Sequence, residues 1–278
     1  MSSLSSLTQD IEIQRPELWT LIVRVGMSAV KFILYNDAEE NSLISRELPL
    51  NIGAGDYLKA LENCIYDNPV LLQDFKKVAV LVESSHFVLL PNNMADDDVM
   101  QEVMDYVYAN DGGDRDVCNM INGKVSVAYA LNKGVIAFLR RTFYNPDIVH
   151  QLVPLVRYSC EKSEKSSIAK MFVHVADDCM DVCVCRKGEL LMANTFGYRS
   201  IDEAAYYILN VWQNLGLDVY SDELQISGEK TVREQLMPQL RKYISYVMPI
   251  IFPASAMKIG QDAIKAPFDL ILLSQCVL

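Results

Sequence analysis

The sequence predicts an α/β chain built from two copies of one unit: a β-hairpin with a third strand, a helix and a closing strand. Three observations carry that prediction. Short β-branched runs alternate with stretches of helical period, and the order of these elements returns about 150 residues further on. Hydrophobic residues make up 51% of the 278, the range of an ordinary packed domain rather than a disordered chain.

In the first copy, Leu18 to Val25 alternates toward a strand, Gly26 breaks it, and Ala29 to Tyr35 forms a second β-rich run. A polar turn leads to a third run, Ser42 to Leu48. Leu58, Leu61, Cys64 and Ile65 then fall on one helix face, and Lys77 to Val82 reads as a buried strand. In the second copy, Met171 to Ala176 is the first strand, Asp177-Asp178 a turn and Asp181 to Cys185 the second strand. Lys187-Gly188 makes a tight hairpin to a third strand, Glu189 to Phe196. Ser200 and Glu203 form a capping box for a helix whose stripe includes Ile201, Ala204, Ala205, Ile208 and Trp212, and Gly216 ends it. The strand Glu223 to Ile226 follows. Val23-Arg-Val-Gly26 overlays Val173-His-Val-Ala176 without a gap through the second strand.

Between the copies, His86 to Leu90 suggests a strand, and Asp96 to Asp98 cap a helix with Val99, Met100, Val103 and Val107 inward. Val117 to Ile121 and Lys124 to Ala130 suggest a hairpin around Asn122-Gly123, and a helix runs from Lys133 to Phe143. Linker-like composition occurs at Glu161 to Ser167. The expected organisation is a disordered tail over 1–16, a first lobe over 17–165 and a second over 166–278. Pro267 to Leu278 is compatible with helix or strand.

With 36 acidic against 25 basic residues and a net charge of −11, the chain is not expected to bind nucleic acid, whose phosphates must be neutralised by Lys and Arg. Seven scattered cysteines fit free thiols in a reducing cytoplasm better than a disulfide framework. Met1 to Asp10 has neither the basic start nor the apolar centre of a signal peptide. The apolar stretch Tyr246 to Met257 is too short to span a bilayer and holds Pro249 and Pro253. A cytoplasmic location is therefore expected.

Three antiparallel strands, a helix and a parallel strand open the ribonuclease H-like fold, and two such units in tandem resemble the actin-like ATPase superfamily. That superfamily includes actin, heat-shock chaperones, sugar kinases and scaffolds of bacterial division and type IV pilus assembly. More narrowly, Ile201-Asp-Glu-Ala-Ala-Tyr-Tyr-Ile-Leu-Asn-Val-Trp212 and Pro267-Phe-Asp-Leu270 are similar to an uncharacterised Bacteroidetes family assigned an actin-like fold. The resemblance implies a duplicated ribonuclease H-like fold of two lobes, with mixed sheets and flanking helices. It also implies a phosphate loop, Asp-x-Gly, at the first hairpin of each copy. Glycine lets backbone N–H groups approach phosphate, and the aspartate orients magnesium and its water.

Here the first copy reads Arg24-Val25-Gly26 with Ser28 and Lys31 beyond, and the second reads His174-Val175-Ala176 followed by Asp177, Asp178 and Asp181. Both magnesium acids are replaced, and the three carboxylates oppose an approaching phosphate. The adenosine motif, a strand ending in two glycines, is matched by Leu224-Gln-Ile-Ser227-Gly228, but Glu229 takes the second glycine's place. The expectation is a non-catalytic, pseudo-ATPase scaffold or protein-binding module with no cofactor and another protein as partner. The alternative is a divergent ATPase or phosphotransferase with a cleft between the lobes. There Gly26, Ser28 and Lys31 would cradle phosphate, Asp178 or Asp181 would hold magnesium, and Ser227 and Gly228 would line the nucleotide. Arg24, His174, Ala176 and Glu229 are the departures from the pattern.

Other constellations read as structural. Cys179, Cys183 and Cys185 share one strand face, which suits core cysteines better than a metal site or a redox centre. His86, His150 and His174 are too few and separated for a metal cluster. Ser84-Ser85-His86 would alternate faces in a strand. Asp96 to Asp98 suit a helix start without an ion, and Asp111 to Asp116 lack the regular alternation and distal Glu of a calcium loop.

Overall fold

A strand that buries both of its faces belongs in the middle of a sheet, and Thr20–Val25 (β1) is such a strand, with Leu21, Ile22 and Val23 fully buried. The computed structural model describes residues 11–52, 56–108, 114–121, 123–176, 178–254 and 256–276. Its contacts divide the chain into two units, residues 1–151 with 253–278, and residues 152–252.

In the first unit, β1 pairs antiparallel with Ala29–Tyr35 (β2), which pairs antiparallel with Ile44–Pro49 (β3). Tyr57–Tyr66 (α1) starts at Asp56, whose carboxylate accepts from the Leu58 N–H at 3.0 Å. Lys77–Val82 (β4) then lies parallel to β1 on its other side. Phe87–Pro91 (β5) begins an insertion, followed by Asp97–Val107 (α2), Asp114–Met120 (β6) and Val125–Leu131 (β7), with β5, β7 and β6 forming a second sheet. Asp96 caps α2 by accepting from the Val99 N–H at 3.0 Å. Lys133–Thr142 (α3) packs so closely on α1 that a Cβ on Gly134 would lie 2.7 Å from Leu58 Cδ2. Asp147–His150 (β8) completes the main sheet, in the order β3-β2-β1-β4-β8.

In the second unit, Leu152–Ser163 (α4) precedes Lys170–Val175 (β9), Cys179–Arg186 (β10) and Glu189–Gly197 (β11). Lys187 and Gly188 both have positive φ, 53° and 77°, the backbone of a two-residue hairpin whose twist matches its strands. Ser200 caps Ile201–Asn214 (α5), accepting from the Glu203 N–H at 3.2 Å, while Glu203 accepts from the Arg199 N–H at 2.8 Å. Glu223–Gly228 (β12), Lys230–Leu240 (α6) and Tyr246–Pro249 (β13) follow, and the sheet order is β11-β10-β9-β12-β13. Both five-stranded sheets thus have the same strand order, as the recurrence in the sequence predicts. The α5 and α6 side of the second sheet is the core, where Val173, Val182, Ile208, Trp212, Leu224 and Leu236 cluster.

The last segment belongs to the first unit. Ala256–Ile259 (α7) sits where its Ile259 carbonyl accepts from the Leu43 N–H, 3.0 Å away. Phe268–Cys276 (α8) is a helix, buried from Phe268 through Ser274, and packs on β1.

Three expectations are corrected. The break expected at 165/166 falls at 151/152, because the polar run Glu161 to Ser167 is the end of α4 and its turn into β9, and α4 packs on the second sheet. The stretch 166–278 is not one lobe, because 253–278 packs with the first unit. Of the expected tail, residues 1–10 lie outside the described residues, while Ile13 is buried and Pro16–Leu18 forms a 3-10 turn. Asn122, Asp177 and 111–113 of the acidic loop also lie outside the described residues.

His150 ends β8 fully buried between Phe87 and Tyr129, with Nε2 3.1 Å from the Ser84 carbonyl oxygen. Burial lowers its pKa from 6.5 to about 4, against the smaller opposite effect of the Ser84 hydrogen bond. Because the folded value is depressed, the unfolded chain binds the extra proton. The stability that this provides is complete above pH 6.5 and declines as pH falls toward 4, by up to about 3 kcal/mol. Urea denaturation across that window should show this decline, and His150→Phe should remove the step.

Candidate functional site

The two first hairpins, at which the resemblance implies a phosphate loop in each copy, can be compared position by position. Arg24 and His174 are each the fifth residue of a six-residue strand, β1 and β9. Arg24 pairs across to Lys31 on β2 and Leu81 on β4. His174 pairs across to Asp181 on β10 and Ser227 on β12. Each sheet therefore carries one row of side chains at this level, Leu81–Arg24–Lys31–Glu47 in the first and Ser227–His174–Asp181–Thr195 in the second.

In the first row the guanidinium of Arg24 holds two carboxylates. Its Nε donates to Glu83 Oε1 and its Nη1 to Asp269 Oδ2, both at 2.7 Å. Glu83 follows directly on β4, and Asp269 lies in the first turn of α8. Asp269 retains only 8% of its side-chain exposure, so the pair is one that the interior must neutralise internally. Glu83 also lies against the loop glycine: a Cβ on Gly26 would be 3.2 Å from Glu83 Oε1 and 3.4 Å from Oε2. Lys31 is engaged with Glu47 at 3.3 Å.

Both loops are also tied by their carbonyl groups. Tyr57 donates its hydroxyl to the Gly26 carbonyl at 3.1 Å, and Leu50 N–H donates to the Ser28 carbonyl at 2.8 Å. Tyr198 donates its hydroxyl to the Ala176 carbonyl and its N–H to the Asp178 carbonyl, the latter at 2.9 Å. The Gly26 and Ala176 N–H groups close their hairpins onto Ala29 and Cys179 carbonyls at 3.1 and 2.8 Å. Burial first, and then the charge of Glu83, hold the Tyr57 hydroxyl well above the usual phenol range, so it remains a donor. Ser28 and Asp178 have exposed side chains.

The second row is almost wholly buried. His174 Nδ1 lies 3.0 Å from Ser227 Oγ, and Thr195 donates to Asp181 Oδ1 at 2.6 Å. Gly228 has φ +97°, and a Cβ there would lie 1.9 Å from the Val175 carbonyl oxygen. Two strands approach at a distance that only glycine permits. The next residue, Glu229, donates its N–H to that same carbonyl at 2.8 Å and opens α6, with Thr231 Oγ1 3.4 Å from its carboxylate.

The structure thus brings Arg24, Gly26 and Lys31 together in one unit, and His174, Asp181, Ser227 and Gly228 in the other. Sequence reasoning missed Glu83, Asp269, Tyr57 and Tyr198. Glu83 was within reach, since it follows β4 as Glu229 follows β12. Asp269 lies 245 residues from its partner, and no local pattern marks such a pair.

Elsewhere, Cys183 and Cys185 are buried and meet Cys160 of α4: Cys185 Sγ lies 3.5 Å from Cys160 Sγ and 3.6 Å from Cys183 Sγ. Hydrogen bonds to Cys160 and Cys183, then burial, hold the Cys185 thiol protonated. Cys179 is half-buried and starts β10, four residues along the strand from Cys183. Among the described residues, no three or more His, Cys, Asp or Glu side chains are grouped to hold a metal ion. Ser85 and His86 lie in a turn rather than a strand, with Ser85 Oγ 3.3 Å from His86 Nδ1. Among those residues, no helix is long and apolar enough to cross a membrane.

Residues 8–247 match the model of a family described as "Protein of unknown function (DUF3822)". No curated protein matches the sequence. Among solved structures, the chain is similar to a Bacteroides thetaiotaomicron protein with an actin-like ATPase fold and unknown function. They share 22% identity over 94% of this chain and 98% of that one, with a TM-score of 0.79. It is also similar to a chain of the PilM-PilN type IV pilus biogenesis complex, 13% identical over 95% of this chain and all of that one (100%), with a TM-score of 0.57. The fold is the actin-like ATPase fold, with its duplicated ribonuclease H-like arrangement of two mixed sheets and flanking helices.

Two substitutions test this geometry by thermal or chemical denaturation. Arg24→Ala leaves Glu83 and Asp269 facing each other without a cation and should cost roughly 3 kcal/mol. Gly228→Ala should cost about 3 kcal/mol or more, whereas Gly216→Ala, with φ +61° and no atom within 4 Å, should cost only about 1 kcal/mol.

Proposed function

We propose that this chain, which belongs to the DUF3822 family, is a non-catalytic actin-like scaffold, a pseudo-ATPase that works in the cytoplasm by binding another protein. The observation that carries the reading is Arg24 held between Glu83 and Asp269, with Glu83 against Gly26. In an active loop the strand ends in an acid that orients magnesium, and the glycine faces phosphate. Here a cation replaces the acid and a carboxylate occupies the glycine's surroundings, so a polyphosphate would meet negative charge in a partly desolvated place. The second loop supports the same reading, with an imidazole hydrogen-bonded to Ser227 where the other acid would stand.

The protein-binding half of the proposal draws on the PilM-PilN complex, in which a protein of this fold is assembled with another protein. The alternative is a divergent nucleotide site, which the exposed Ser28 and Asp178 side chains favour. Lys31 and Asp181, two of the other groups named for it, are already engaged with Glu47 and Thr195.

Isothermal titration of the full chain with magnesium–ATP and magnesium–ADP should give no binding tighter than about 1 mM. Phosphate release should stay at background for the wild type and for Lys31→Ala alike. Saturable binding in the micromolar range, lost in Lys31→Ala, would establish the alternative.

A further inference from the structure

The first unit holds a cavity of about 400 Å³ at the end of the main sheet where β4 and β8 begin, a volume in the range of ligand sites. One wall is the stretch 72–78 leading into β4, and the other is the stretch 142–147 that leaves α3 and enters β8. Both walls are tied to the fold: Lys76 N–H donates to the Trp19 carbonyl and Asn145 N–H to the Arg140 carbonyl, each at 2.9 Å.

The protein leaves several polar groups of this lining unmatched. Gln73 Oε1 and Thr142 Oγ1 are buried with no hydrogen-bond partner, a standing cost that a bound donor removes. Asp74 lines the same cavity, is exposed, and has no ion pair or hydrogen bond among the described residues. The two lysines of the lining are engaged, Lys76 with Asp37 at 3.7 Å and Lys77 with Asp147 at 4.0 Å. Phe75 and Tyr144, the latter 87% exposed, add aromatic rings.

We propose that this cavity binds a guanidinium group, that of an arginine side chain on a partner protein. The unmatched groups select a cation. A carboxylate, a carbonyl oxygen and a hydroxyl all accept N–H donors, whereas the lysines that would hold an anion are already paired. Guanidinium suits the site better than ammonium. It is more weakly hydrated, so it reaches buried oxygens at less cost, and it brings five donors and stacks on aromatic faces. Leu72, 41% exposed, offers apolar surface for the methylene stem. The net charge of −11 attracts a basic segment at long range. That the cation belongs to a protein rests on the reading of the chain as a protein-binding scaffold.

Isothermal titration of the full chain tests this with a capped glycine pentapeptide carrying one central arginine, its central-lysine counterpart, and agmatine as a free guanidinium. The arginine peptide should bind with a Kd between about 10 μM and 1 mM. The lysine peptide, and agmatine without flanking backbone, should each bind at least about fivefold more weakly. Asp74→Asn should weaken the arginine peptide about tenfold and Thr142→Val about threefold, with melting curves showing that both variants fold. Asp98→Asn, the same charge change on α2 outside the cavity, should leave binding unchanged. No saturable binding up to about 5 mM peptide, or equal loss in Asp98→Asn, would overturn the proposal. Equal binding of the lysine peptide would overturn the guanidinium assignment, and agmatine binding as tightly as the peptide would overturn the protein source. The magnesium–ATP titration is independent of all these arms, so the scaffold reading and the arginine site fail separately.

Discussion

A guanidinium removed from water must find its counter-charges inside the protein, and Arg24 shows how much structure that requirement organises. Its two acids come from different places: Glu83 from the residue after the neighbouring strand, Asp269 from the start of the last helix. Satisfying one side chain fixes the end of β4, anchors α8 on β1 and brings a carboxylate to Gly26. Coulomb attraction at these distances is strong only because the site is partly dry, and the same dryness makes any missing partner costly. The charge network and the closed loop are one arrangement seen from two sides.

The second unit solves the equivalent position by different chemistry. Where Arg24 faces Lys31 across the first hairpin, His174 faces Asp181, and where Leu81 lies beside Arg24, Ser227 lies beside His174. One row is charged and partly open at Lys31 and Glu47, the other is nearly all buried and hydrogen-bonded. The backbone of both loops is nevertheless held alike, by a tyrosine hydroxyl on the carbonyl of Gly26 or Ala176 and an N–H on that of Ser28 or Asp178. The tyrosines come from different positions, one inside α1 and one before α5. Similar loop geometry has been reached with unrelated side chains.

Much of the fold was legible because its signals are local. β2 and β4 fall on the residues that β-branched runs mark, and the Ser200 cap and Lys187-Gly188 turn are chemistry within four residues of chain. α4 was missed because it is buried around much of its circumference, so its apolar residues show no clean stripe, and its polar end reads as a linker. The return of the last segment to the first unit was illegible for a deeper reason, since its anchor is an ion pair between distant residues. At the candidate site the departures at Arg24, His174 and Glu229 could be read directly. What surrounds them could not, because a row across a sheet is assembled by register and not by sequence order.

That return also bears on how the chain is made. The first unit is closed by residues 253–278, which leave the ribosome only after the whole second unit, whereas that second unit is one continuous stretch, 152–252. During synthesis the N-terminal sheet must wait, its Arg24 without Asp269, while the later unit has all of its strands and can close first. The order of emergence and the order of completion are therefore reversed, and a chain truncated before α8 would leave β1 without its cover however intact the rest of that sheet.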